Sequence, residues 1–194
     1  MLSDFLHVGV LTSDRARGLD GLLHHPFRGT LYDVDCILTR HPPRDLALRA
    51  SFDEETAELL WQSGVDTVVL LGYLWIATEP LLSAFPNRIF NVHDGLQRYP
   101  GLHATREAIL AGESETYSIV HHVTPALDGG PVIARSRPLP VAPFVREAVM
   151  IGATDIVRAY AYAHREWMIR STWSDLLVHA LEEVAAGADV GVGA

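Results

Sequence analysis

A single cysteine, Cys36, rules out an intramolecular disulfide and any cysteine-rich metal centre, and a lone thiol suits a reducing compartment. Positive charge is short as well. With 15 Lys and Arg against 24 Asp and Glu, the formal net charge is −9, which argues against a nucleic-acid partner, because phosphate backbones ask for a basic surface. A small anion is not excluded, since a local pocket of amides or guanidiniums is enough to hold one. No apolar run reaches the roughly 18 residues that suggest a membrane-crossing helix. The opening Met1-Leu2-Ser3-Asp4-Phe5 carries an acid and no basic leader, so no membrane partner is expected and the cytoplasm is the expected location. Repeats and linkers are missing too. The expected organisation is one domain over residues 1–186 and a small, glycine-rich, disordered tail over 187–194.

What the chain does have is strand and helix patterns in alternation. Phe5–Thr12 and Tyr32–Thr39 are short apolar runs with the look of strands, and Val65–Leu71 is almost wholly apolar, as a strand covered on both faces would be. Between them, Leu19–His25 and Asp53–Ser63 read as helices, the second opened by Ser51 and its acids and closed by Gly64. Glu79–Ala84 and Gly101–Ala111 read as further helices. Glu115–Val123 and Val132–Val141 read as strands, the latter interrupted by Pro138 and Pro140. From Val145 to Ala186 the apolar residues recur at helical spacing. This alternation predicts an α/β fold, a Rossmann-like doubly wound and mostly parallel sheet with a C-terminal helix.

The chemistry gathers in residues 87–133. If Ile89–Val92 is a strand, Asn91 and His93, two residues apart, share a face at its carboxyl end. A carboxylate follows in Leu127-Asp128-Gly129-Gly130-Pro131, where the paired glycines permit a tight turn with positive φ and close backbone approach. An amide donor, an imidazole and a carboxylate suffice for moving an acyl group between nitrogens: one steadies an oxyanion, and the others supply and direct a proton. Each residue alone has an ordinary explanation as a turn, cap or packing residue. His121 and His122 cannot both face one site from a strand, and no other cluster has ligand spacing, so no metal is expected.

Asn91-Val92-His93, Tyr99-Pro100-Gly101-Leu102-His103-Ala104 and the run Val120–Ile133 (VHHVTPALDGGPVI) resemble the folate-dependent formyltransferases, above all the glycinamide ribonucleotide branch. Val68–Ile76 (VVLLGYLWI) is similar to that family's strand and folate-binding loop, so the resemblance runs in register from about Val65 to Ile133. It implies a formyltransferase-type fold, 10-formyltetrahydrofolate as co-substrate, and Asn91, His93 and Asp128 as catalytic residues. It also implies that Tyr73, Leu74, Trp75 and Ile76, with Leu127 and Gly129, hold the folate, and that Ser13, Arg15, Arg17 and Gly72 lie at the acceptor.

The sequence departs from the family at four places. Ser13-Asp14-Arg15-Ala16-Arg17-Gly18 lacks the closely spaced glycines of the family's phosphate loop, although its arginines could hold an anion through their forks. Trp75 stands where an Arg is usual, either stacking on a ring or covering the core, and Asp94 where Pro or Gly follows the His. Ala163-His164 matches a Glu-His pair whose acid binds the substrate ribose, so that acid is missing. The expected function is therefore formyl transfer to a small-molecule amine other than glycinamide ribonucleotide. The alternatives are phosphoribosylglycinamide formyltransferase of purine biosynthesis, a formyltetrahydrofolate hydrolase, and a folate-binding protein without turnover.

Overall fold

The computed structural model describes residues 5–13 and 16–187; Arg15 and residues 188–194 of the expected tail lie outside them. In chain order the elements are β1 (Leu6–Thr12), α1 (Leu19–Leu23), β2 (Tyr32–Thr39), α2 (Leu46–Gln62), β3 (Thr67–Leu71), α3 (Glu79–Ala84) and β4 (Ile89–His93). Then come α4 (Ala104–Leu110), β5 (Glu115–Thr116), β6 (Ile119–His122), β7 (Val132–Arg135), β8 (Leu139–Pro140), α5 (Pro143–Met150) and α6 (Thr154–Ala185).

Six strands form one sheet in the order β2-β1-β3-β4-β6-β7. β1 is parallel to β2 and β3, and β3 to β4, while β6 pairs antiparallel with both β4 and β7. The fold is α/β and doubly wound, because alternating residues of each parallel strand feed two cores. Val10, Phe90 and Val92 pack with α1 and α6 on one face, whereas Leu11, Leu70 and Ile89 pack with α2 and α3 on the other. Every residue of β3 is buried, as its unbroken apolar run requires.

Several expected boundaries shift, each for a long-range reason. α2 starts at Leu46, not Asp53. Ser51 caps nothing there, and Arg49 anchors the first turns by donating from Nε and Nη2 to Pro43 O. Asp53, fully buried, turns to α3 instead: its Oδ2 accepts from Thr78 N at 2.6 Å and Thr78 Oγ1 at 2.7 Å. Asp53→Ala would leave both half-buried donors of Thr78 unpaired, and is expected to lower unfolding free energy by about 1–3 kcal/mol, read from urea denaturation. A change within experimental error would mean that Asp53 does not hold α3.

The expected strand Glu115–Val123 is broken at Tyr117-Ser118, because the chain changes partners there. Thr116 pairs with Leu139 of β8 in a separate two-stranded sheet, and β6 then joins β4 and β7. The expected strand 132–141 splits for the same reason. The expected helix over 101–111 begins only at Ala104.

α6 is tied to this smaller sheet through a partly buried polar chain. Ala142 N donates to Tyr160 Oη at 2.7 Å, Tyr160 Oη lies 3.2 Å from His164 Nδ1, and His164 Nε2 lies 2.7 Å from Thr116 Oγ1. Burial holds the His164 imidazole below the usual histidine range. Burial, and then His121, do the same to His122. With folded values below the unfolded one, these histidines take up protons on unfolding. Stability should therefore fall as pH drops below about 6.5, by at most about 1.4 kcal/mol per pH unit for each. Urea titrations at pH 7.5 and 5.5 check this, and His164→Gln should flatten the difference.

Candidate active site

β4 brings the chemistry to the carboxyl end of the parallel strands, where open α/β sheets place ligands. Asn91 and His93 share a face with Ile89, and the antiparallel register sets Asn91 opposite His121. Asn91 Nδ2 lies 3.1 Å from His121 Nε2 and 3.1 Å from Asp128 Oδ1. His121 Nδ1 lies 2.8 Å from the His122 carbonyl, which can only accept, so Nδ1 carries a proton.

Asp128 is the hub. Its Oδ2 accepts from Gly101 N at 2.7 Å and faces His93 Nδ1 at 3.5 Å, while Oδ1 also lies 3.6 Å from His121 Nε2. Burial pushes the Asp128 carboxyl up, but His121, His93 and the Gly101 amide together hold it below the usual carboxylate range. The other nitrogen of His93, Nε2, lies 2.9 Å from Tyr99 O, so both ring nitrogens face oxygen acceptors. Tyr99 is itself pinned through its hydroxyl, which donates to Glu113 Oε1 at 2.7 Å.

The turn that carries Asp128 differs from the glycine-based expectation. The positive φ, 49°, belongs to Asp128 itself, a residue type that tolerates the left-handed region. Gly130 serves close approach instead: a Cβ there would stand 1.9 Å from His122 O. Gln97 closes the turn, donating from Nε2 to Gly130 O at 2.6 Å and Asp128 O at 3.3 Å.

A cavity of about 190 Å³ opens between this triad, the 72–77 loop and Leu127. Tyr73, Leu74, Trp75, Ile76 and Leu127 line it. Gly129 does not, being exposed with its N–H bonded to Ala126 O. Tyr73 is mostly core, and burial, then the Asp53 carboxylate, push its hydroxyl above the usual range. Trp75 covers the core, one of the two roles expected of it. It packs on the core with the Arg49 guanidinium 5.2 Å from its ring centroid, and it lines the cavity. Leu74, Ile76 and Leu127 are 58%, 46% and 55% exposed, three large apolar side chains left uncovered around one opening.

A cleft of about 600 Å³ adjoins the cavity, sharing Gly72, Leu74, Trp75, Leu102, Arg165 and Trp173 with it. Ser13 and Arg17 lie in its wall, together with exposed His103 and Arg106. Arg17 is ion-paired to Glu166. Asp94 pairs with Arg165 of α6 and lines the cavity as well. Sequence reasoning missed His121, Gln97 and Arg165. His121 had a signal in the alternation that sets it on the face of Ile119, whereas Gln97 and Arg165 had none.

A family model described as formyl transferase matches residues 34–148, more than half of the chain. The chain belongs to the formyl transferase family. Within that family, phosphoribosylglycinamide formyltransferase of Escherichia coli is 38% identical over 90 residues, 46% of this chain and 42% of that protein. Formyltetrahydrofolate deformylase of Bacillus subtilis is 38% identical over 87 residues, 44% of this chain and 29% of that protein. These matches span less than half the length of either curated relative. Among solved structures, glycinamide ribonucleotide transformylase 1 from Symbiobacterium toebii gives a TM-score of 0.70 at 28% identity, covering 95% of this chain and 90% of that one. No helix among the described residues is long and apolar enough to cross a membrane, and none of their His, Cys, Asp and Glu side chains group as metal ligands.

Proposed function

We propose that this formyl transferase catalyses transfer of a formyl group from 10-formyltetrahydrofolate to an amine of a small molecule other than glycinamide ribonucleotide. The observation that carries the reading is the convergence of Asn91, His93 and Asp128 at one end of an apolar-rimmed cavity. Tyr73–Ile76 and Leu127 would hold the folate, which supplies the activated formyl group. Asn91 donates an N–H to the oxygen that becomes negative as the formyl carbon is attacked, giving up its bond to His121. His93 steadies the same charge or passes a proton to the departing nitrogen. Asp128, held charged, orients His93 and Asn91 and fixes a water or the nucleophile's proton beside them.

The choice of acceptor rests on the cleft. Its loop after β1 presents Ser13 and Arg17 in place of a glycine cradle, Arg17 is taken by Glu166, and exposed Ala163 stands on α6 where the family pattern has an acid. The hydrolase reading draws support from the deformylase relative, and the purine-pathway reading from the transformylase ones. Release of tetrahydrofolate and formate from 10-formyltetrahydrofolate, with and without glycinamide ribonucleotide or a panel of other primary amines, separates them. Tetrahydrofolate release that needs an amine, and that glycinamide ribonucleotide does not support, is the expected result. Turnover only with the ribonucleotide would establish the purine enzyme, and formate release without amine the hydrolase. Folate binding with no turnover would leave a binding protein.

A further inference from the structure

Asp94 and Arg165 stand together where the cavity meets the cleft, and the proposed chemistry uses neither. Asp94 is 6% exposed and lines the cavity beside His93. Its Oδ2 is held by Arg165 Nε, and its main-chain oxygen accepts from Thr105 Oγ1 at 3.0 Å. Its Oδ1 is buried and has no hydrogen-bond partner. Leaving a buried carboxylate oxygen unpaired is costly, so the atom is poised for a donor that arrives with a ligand. Both oxygens of Asp128, by contrast, already accept from the protein.

We propose that Asp94 Oδ1 receives the ammonium group of the acceptor and takes the proton that must leave before its nitrogen can attack. This deepens the formyl-transfer reading and rests on it. It assigns the acceptor to the primary alkylamines, which are protonated at neutral pH and need such a base, rather than to arylamines or alcohols. The groups facing Asp94 are Arg165 of α6, Arg17 of the loop after β1 with its partner Glu166, and His93 of its own strand. The two ion pairs nearly cancel, so the unpaired oxygen is the local negative feature. Burial also pushes the Asp94 carboxyl up against the pull of Arg165, which makes it a better proton acceptor than Asp128. The step balances. One ammonium proton goes to Asp94 and later to water, and the freed lone pair forms the new N–C bond. The formyl carbon's bond to the folate nitrogen breaks, and a second amine proton follows that nitrogen.

The test uses glycinamide, a primary alkylamine, and glycolamide, its hydroxyl counterpart, titrated by saturation-transfer NMR with and without 5-formyltetrahydrofolate. Asp94→Asn alone would strand the half-buried Arg165 charge. The informative variant is therefore Asp94→Asn/Arg165→Met, with folding checked by its thermal transition. If that transition is lost, Asp94→Glu, which keeps a partner for Arg165 but displaces the carboxylate, carries the same comparison. Wild type should prefer glycinamide. The variant should lose about tenfold or more of that binding while glycolamide and folate binding stay within about twofold. Unchanged glycinamide binding in the variant, equal binding of the two probes by wild type, or no glycinamide binding at all would overturn the inference. A wild-type protein that binds glycinamide through Asp94 but ignores the folate would instead sink the formyl-transfer reading.

Discussion

Asp128→Ala is expected to lower the turnover of formyl transfer by about two to three orders of magnitude, with folate affinity changed only slightly. The reason is how many groups depend on one carboxylate. Its two oxygens hold the Asn91 amide and the Gly101 N–H and face His93 and His121. Without it, Asn91 loses one of the two partners that aim it, and His93 keeps only Tyr99 O. The acidic limb of the rate profile carries a second expectation. Because its partners outweigh burial and hold the Asp128 carboxyl below the usual range, the fall in rate that belongs to Asp128 should come only below about pH 4, after the one that belongs to Asp94, whose carboxyl burial pushes up. The sign for stability is the same. A depressed folded value stabilises above the unfolded pKa, and that contribution is lost as pH falls through the folded one. Stopped-flow turnover with a verified acceptor measures both. An Asp128→Ala protein as fast as wild type would remove Asp128 from the chemistry.

Gly130→Ala is expected to destabilise the protein by about 2–4 kcal/mol, read as a lower urea midpoint at unchanged slope. The added methyl would sit 1.9 Å from His122 O and 2.9 Å from its carbonyl carbon, and backbone in β6 cannot swing aside as a side-chain tip can. Relief requires that the 128–130 turn lift from β6, carrying Asp128 away from Asn91 and breaking the Gln97 clamp on Gly130 O. Activity should therefore fall together with stability. Gly129→Ala is the control. Its nearest neighbour would be the Ala126 methyl at 3.0 Å and its φ is not positive, so a much smaller loss is expected. Equal stability of the Gly130→Ala protein and wild type would mean that the turn does not pack on β6 in this way.

The layout of the sheet was legible from consecutive residues. Val65–Leu71 announced a covered strand, Pro80 the start of α3, and the spacing of Asn91 and His93 a shared face at a strand end, because hydrophobic period and turn chemistry act over a few neighbours. The family resemblance joined Asp128 to that pair, and the structure places all three together. Elsewhere local signals misled. Ser51 and its acids look like a helix start, yet α2 is already under way and Asp53 serves α3. The Gly-Gly pair looks like the source of a left-handed turn, yet Asp128 adopts it.

By itself, the sequence determined the α/β alternation, the apolar strands, the family, and the set of polar residues from which a formyl-transfer site could be built. Only the tertiary structure decided which of them meet. The β4–β6 register puts His121 against Asn91, the packing of the 94–101 loop brings Gln97 and the Gly101 amide to the Asp128 turn, and α6 delivers Arg165 to Asp94. The physical reason is range. Propensity and periodicity are settled among neighbours in the chain, whereas these contacts join residues about 30 to 70 positions apart, and depend on strand register and on how a helix seats on the sheet.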